Sequence, residues 1–145
     1  MDTQESASGR IVVGVDGSPS SEAALRWAVS QAELVGGVVD AVIAWQYPAA
    51  YGWPVMPAEA DLSEWAGKTL NDSLSRALDP NSSVEVRRHV LSGDASQALL
   101  DTARGARLLV VGNRGHGGFT QALLGSVSQH CVHHAQCPVV IVRAD

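Results

Sequence analysis

The sequence predicts an α/β fold: a single-domain, five-stranded parallel doubly wound sheet of Rossmann-like form, strand order 3-2-1-4-5, with helices on both faces. The first observation behind this is the order β-α-β-α-β-α-β-α-β. Short apolar runs alternate with amphipathic stretches, and that alternation implies a parallel sheet covered on both sides. The second is size, since 145 residues suit one domain able to bury its own core. The third is composition: 46% hydrophobic and 17% charged residues make an ordinary globular mixture. The net charge of −5 argues against a nucleic-acid or anionic-membrane surface. No run approaches the length of a membrane span. The polar, acidic start has no apolar signal segment, so a cytoplasmic protein is expected.

Each element has its own signal. Residues 1–9 carry no large apolar side chain and read as a disordered tail, leaving 10–145 as the domain. Ile11-Val12-Val13-Gly14-Val15-Asp16 is the first buried strand. Ser18 before Pro19 is a helix cap followed by proline at the first helical position. Ala24, Ala28, Ala32 and Val35 form an apolar stripe, and Gly36-Gly37 ends that helix. Val38 to Trp45 is the second strand. The stretch 46–60 holds three prolines and three aromatics. It reads as a long loop that either binds or merely covers the sheet edge. Asp61 and Glu64 read as a capping box, followed by Leu62, Trp65, Leu70, Leu74 and Leu78 at helical spacing, with Trp65 expected in the core. Asp79-Pro80-Asn81 breaks the helix. Val84, Val86 and Val90 mark a third strand containing Arg87-Arg88-His89, and Asp94 with Gln97 opens the next helix. Cys131 and Cys137 are not spaced as C-x-x-C and read as small apolar residues.

The most informative stretch is Leu108 to Ser126, LLVVGNRGHGGFTQALLGS. A buried strand, Leu108–Val111, runs into a glycine-rich turn and then a helix start carrying a hydroxyl. Glycine lets a ligand approach the backbone without a Cβ in the way. A helix start offers unpaired N–H groups and the positive end of the dipole, which together suit phosphate. A switch in winding direction sets the carboxyl ends of strands one and four side by side, where open α/β sheets bind ligands. Those ends carry Asp16 and Gly112.

The spacing Gly112, two residues, Gly115, nine residues, Gly125-Ser126 resembles the universal stress protein family in its nucleotide-binding branch, whose pattern is G-x2-G-x9-G-[ST]. The resemblance runs from about Arg10 to Arg143. It implies that Gly112, Gly115, Gly125 and Ser126 bind the phosphates and ribose of ATP, and that Asp16 contacts the nucleotide. It also implies that Ala44 contacts adenine through its backbone. The amides of Val127 and Ser128 lie at the same helix start, and Arg114 is either a phosphate partner or a solvated loop arginine. Mg2+ is expected to bridge the phosphates. Arg107 and Asn113 stand where family members usually carry Asp and often Ser, and neither change removes an N–H donor.

The expected function is an ATP-binding stress-response module with at most slow hydrolysis and no catalytic residue. The alternatives are a slow ATPase or autophosphorylating enzyme, or a regulatory protein binding cyclic AMP or AMP. No G-x4-G-K-[ST] occurs, which excludes a P-loop NTPase. A phosphoacceptor receiver would need Asp at the end of strand three, where Leu91-Ser92-Gly93 stand. His130 and His134 share a helix face and read as solvent-facing rather than as metal ligands. Strand five, 138–143, is uniformly apolar until Arg143. As a sheet edge it is expected to pair with its own copy in a homodimer, which the resemblance also implies.

Overall fold

The computed structural model describes residues 9–46, 58–114 and 125–144. Five strands, β1 Arg10–Gly14, β2 Val38–Trp45, β3 Val86–Ser92, β4 Leu108–Gly112 and β5 Val139–Val142, form one sheet in the order β3-β2-β1-β4-β5. Every neighbouring pair is parallel. Four helices among the described residues connect them: α1 Pro19–Val35, α2 Glu59–Ala77, α3 Ala95–Thr102 and α4 Ser126–His134. The sequence order and the strand order therefore agree with expectation, and the winding reverses between β1 and β4. None of these helices is long and apolar enough to cross a membrane.

Alternation along each strand divides the core in two. Ile11, Val13, Val39, Ala41, Ile43 and Val110 face α1 and α2, where Leu25, Ala28, Leu70 and Leu74 meet them. Val12, Val42, Leu109 and Val111 face α3 and α4, where Leu99 and Cys131 close the smaller layer. Cys131 is fully buried, and desolvation pushes its thiol up to about 11, with the charges of Asp94 and Cys137 adding to the shift. It stays protonated at neutral pH and packs as an apolar group.

The helix ends follow local chemistry. Ser18 caps α1 by accepting a hydrogen bond from the Ser21 amide at 3.2 Å, and Pro19 occupies the first turn. Gly36 closes that helix at φ 68°, a conformation glycine adopts without a Cβ penalty. Asp94 caps α3 by accepting from the Gln97 amide at 3.0 Å.

Three expectations change. The capping box at Asp61 and Glu64 does not form, because α2 begins earlier, with Ala58 at the cap and no side-chain bond there. The amides of Asp61 and Leu62 both reach the Ala58 carbonyl, so Asp61 lies inside the first turn, where a carboxylate suits the dipole. Trp65 is 55% exposed rather than in the core: Ala66, Leu70 and Leu74 form the buried stripe, and Trp65 stands about 100° around the helix from Ala66. Strand three starts at Val86 rather than Val84 and runs on to Ser92, while Val84 still packs against the larger core layer. The loop from Tyr47 to Pro57 and residues 1–8 lie outside the described residues.

Candidate functional site at the switch point

The carboxyl ends of β1 and β4 meet at the reversal of winding, and the site residues gather there. Past β1, the Val15 amide still donates to the Val42 carbonyl at 2.8 Å, and the chain then turns through Gly17 at φ 84°. Asp16 holds that turn: its Oδ1 accepts from the Ser18 amide at 2.9 Å, and its own amide donates to Ser21 Oγ at 3.2 Å. The carboxylate is thus partly committed to the turn.

At the end of β4, Gly112 is fixed by packing. A Cβ there would stand 2.5 Å from Ser20 Oγ and 2.7 Å from the Ser20 carbonyl carbon. Close approach of α1 to β4 therefore requires glycine at this position, whatever the ligand. The Gly112 carbonyl accepts from Ser128 Oγ at 2.5 Å. The Asn113 amide donates to the Val142 carbonyl, and the Asn113 carbonyl accepts from the Gly125 amide at 2.8 Å. The first turn of α4 is thereby held against the end of β4.

Gly125 caps α4 at φ −67° and ψ 163°, with no side-chain hydrogen bond. The first intrahelical bond runs from the Gln129 amide to the Gly125 carbonyl at 3.0 Å. The amides of Ser126, Val127 and Ser128 are the N–H groups that an α-helix start leaves without intrahelical partners. Ser126 is exposed at this start, Val127 is half-buried against the smaller core layer, and Ser128 is buried. The two serines thus have different roles, since the Ser128 hydroxyl ties the helix down and the Ser126 hydroxyl does not.

Ala44 lies in β2 beyond the last β1 pairing, which is Gly14 with Val42. The Val42 carbonyl points toward β1, so two residues on the N–H and C=O of Ala44 point the same way, above the end of β1. Arg114 is half-buried, and its backbone meets the hydroxyls of Ser18 and Ser20. Gly115 and His116 lie outside the described residues. The structure therefore brings Asp16, Ala44, Gly112, Arg114, Gly125, Ser126, Val127 and Ser128 to one end of the sheet.

Elsewhere, a groove of about 240 Å³ separates α3 from α4, lined in part by Asp101, Arg104, His130 and His134. The two histidine rings stand 4.4 Å apart and, as expected, face outward. Among the described residues no group of three or more His, Cys, Asp or Glu side chains is arranged to hold a metal ion.

Sequence reasoning missed two sets of residues. The first is Ser20 with Ser18: at the start of α1, the Ser20 hydroxyl meets the backbone of Arg114 just past β4, and the Ser18 hydroxyl reaches the same carbonyl. Asp40, with 2% exposure, sits at the other end of the sheet and binds Arg10 at 3.2 Å and His89 at 2.9 Å. The signal for Asp40 was available, since a carboxylate inside the apolar run Val38-Val39-Asp40-Ala41-Val42 must find buried partners.

Comparison with known proteins agrees with this geometry. The model of the family described as "Universal stress protein family" matches residues 8–143. A universal stress protein of Mycolicibacterium smegmatis is 33% identical over 144 residues, covering 93% of this chain and 48% of the relative. The chain thus spans about half the length of the curated relatives it matches. Among solved structures, a universal stress protein in complex with cAMP is 27% identical, with a TM-score of 0.62, covering 97% of this chain and 100% of the other. A universal stress protein from Archaeoglobus fulgidus in complex with dAMP shares the fold at 22% identity, with a TM-score of 0.60 and coverage of 92% and 97%. A family model matched across nearly the whole chain, on a sheet wound in the expected order, places this protein in the universal stress protein family.

Proposed function

We propose that this chain binds an adenine nucleotide, ATP foremost, at the carboxyl ends of β1 and β4, and acts as a nucleotide-dependent regulatory module. The observation that carries the reading is the start of α4. Its cap is a glycine without a side-chain bond, and hydrogen bonds to Gly112 and Asn113 hold it beside the switch point. Such a start offers N–H donors and a positive dipole end to phosphate oxygens. In this reading the amides of Ser126, Val127 and Ser128, the Ser126 hydroxyl and the Arg114 guanidinium receive the phosphates. Gly112, Gly115 and Gly125 keep the approach free of side chains. Asp16 turns its second carboxylate oxygen to the ribose, and the Ala44 backbone meets adenine. Mg2+, bound with ATP, would neutralise charge between the phosphates. The similar protein solved with cAMP supports an adenine nucleotide as the ligand class.

Turnover is expected to be slow. In this reading the crevice supplies phosphate ligands, and the carboxylate among its described residues, Asp16, is given to the turn and the ribose rather than to a proton transfer. Sustained hydrolysis at ~1–100 s⁻¹, the range of dedicated phosphoryl-transfer enzymes, would place the protein in the enzyme class instead. The setting of this reading is the cytoplasm, where the free thiols of Cys131 and Cys137 stay reduced.

The direct test is mass spectrometry of the small molecule released on denaturing freshly purified protein, paired with calorimetry. Ser126→Ala should weaken ATP binding by ~1–3 kcal/mol, the scale of a hydrogen bond to a charged group. Wild-type protein that releases no nucleotide and binds none in the calorimeter would end the reading.

We also propose that the module is a homodimer through β5. The opposite edge, β3, carries Arg87, Arg88 and His89, whereas all four residues of β5 are apolar and only half-buried in the single chain. An unprotected apolar edge invites pairing with its own copy across a two-fold axis. Sedimentation equilibrium should show a dimer that Val139→Lys with Ile141→Lys converts to monomer. A wild-type monomer at tens of micromolar, or a charged variant that remains dimeric, contradicts it.

A further inference from the structure

Ser20 is a buried polar residue in the first turn of α1. It is 5% exposed, lies at the start of α1, and its hydroxyl reaches across to the other crevice loop. That hydroxyl donates to the Arg114 carbonyl and accepts from the Arg114 amide at 3.4 Å. Ser18 Oγ reaches the same carbonyl at 3.4 Å. The contact is close because Gly112 has no side chain, and Ser20 fills the space where its Cβ would stand. Both backbone polar groups of Arg114 are thus held from the start of α1.

Arg114 is the cation among the described residues of the two crevice loops, 15–18 and 112–114. A guanidinium recognises phosphate oxygens with directed N–H donors, so the backbone from which it projects must be held for that geometry to persist. We infer that Ser20 is a positioning residue for the anionic part of the ligand: by fixing the N–H and C=O of Arg114, it sets where that cation stands relative to the α4 start. The inference rests on the nucleotide reading above and assigns Ser20 no contact with the ligand itself. It separates recognition of the phosphates, which depends on Ser20, from recognition of the nucleoside by Asp16 and Ala44, which does not.

The experiment uses the full chain as wild type, Ser20→Ala and Ser20→Thr, titrated with ATP and with adenosine in a calorimeter. Ser20→Ala removes one oxygen and leaves the packing against Gly112 in place. Its ATP affinity should fall about tenfold, the effect of roughly one hydrogen bond, with adenosine affinity unchanged. Ser20→Thr keeps the hydroxyl and should recover most of the ATP affinity. A second readout needs no ligand: hydrogen exchange at the Arg114 amide should accelerate in Ser20→Ala and return toward the wild-type rate in Ser20→Thr. Unchanged ATP affinity in Ser20→Ala overturns the inference and leaves the nucleotide reading standing. Equal losses for ATP and adenosine also overturn it, since they indicate general loosening of the crevice. Wild-type exchange at Arg114 in Ser20→Ala shows that the clamp does not hold. Wild-type protein that binds neither molecule defeats the nucleotide reading itself, and this inference with it.

Discussion

The amino end of the sheet and its carboxyl end use polar groups in opposite ways. At the amino end, Asp40 is buried in β2 and meets the guanidinium groups of Arg10 of β1 at 3.2 Å and, more distantly, Arg87 at 3.9 Å, together with the His89 ring of β3 at 2.9 Å. Arg10 also donates to the carbonyls of Thr102 and Arg104, closing the end of α3. Formal charges meet formal charges there, and the last carbonyls of a helix find a cation. At the carboxyl end, apart from the Asp16 carboxylate that accepts from the Ser18 amide, the bonding is between neutral groups. Hydroxyls of Ser18, Ser20 and Ser128 meet backbone carbonyls, and a helix start keeps its first amides without side-chain caps. The first arrangement is complete within the chain. The second fixes the frame of a crevice and leaves donors for something else. A closed charge cluster serves stability, whereas a neutral clamp beside uncapped amides suits the reception of an anion.

Breaking the charged end should have the largest effect. Asp40→Ala leaves Arg10 and His89 without their buried carboxylate, and breaking such a pair typically costs ~3–5 kcal/mol. Arg10 retains two carbonyl partners, and the His89 side chain is 34% exposed, so the loss should fall near the lower end of that range. Urea unfolding checks it. If the two ends are as separate as their chemistry suggests, the variant's ATP affinity at low temperature should match wild type. Loss of stability below about 1 kcal/mol would put this cluster in the class of surface ion pairs.

A smaller effect is expected where the carboxyl end is packed most tightly. Gly112→Ala forces a Cβ against the backbone of Ser20 at 2.7 Å, which no rotamer change can relieve, so a loss of ~1–3 kcal/mol is expected. Gly14→Ala is the comparison. Its Cβ would meet Leu99 Cδ1 at 2.9 Å, the far end of a flexible side chain that can move aside, so the loss should be smaller. Thermal unfolding of both variants decides. Equal losses would mean that α1 moves away from β4 as readily as Leu99 changes rotamer.

This contrast also explains what could be read from the sequence and what could not. The apolar runs, the Ser18-Pro19 and Asp94 caps and the Gly36 stop depend on interactions within a few residues, so they were legible. So was the order of the sheet, because connection rules leave few windings for such a pattern. The glycine spacing pointed to the end of β4 and the start of α4, where the structure sets Gly112 and Gly125. The reason for Gly112 was not legible, because Ser20 is 92 residues away in sequence and reaches it only once α1 lies across β4. Ser126 and Ser128 look alike in the string, and only the end of β4 shows which hydroxyl is already bonded. The capping box at Asp61 misled because a good local motif does not fix the register of a helix whose start its tertiary surroundings set. Trp65 misled because hydrophobicity does not say which side of a helix faces the sheet.

The smallest effect should reverse the sign. Ser73 lies on α2 with no exposure, next to Leu74 of the larger core layer. Its Oγ has no hydrogen-bond partner among the described residues. Ser128 is also buried, at 3% exposure, but its hydroxyl bonds the Gly112 carbonyl. A hydroxyl buried without a partner costs ~1–3 kcal/mol by mutational measures, and alanine is the better helix former. Ser73→Ala removes the oxygen and leaves a volume smaller than a methyl group, so it should stabilise the fold by about 1 kcal/mol. Ser128→Ala, the same chemical change, leaves a carbonyl unpaired and should destabilise by a similar amount. Paired chemical denaturation of the two variants is the measurement, with ATP titration of each. Opposite signs, with weaker ATP binding only in Ser128→Ala, would show that buried serines at the carboxyl end hold the crevice together while Ser73 does not. A loss of stability in Ser73→Ala would mean that its hydroxyl is bonded in solution, for instance to the Thr69 carbonyl one turn back, a bond that serines inside helices commonly form.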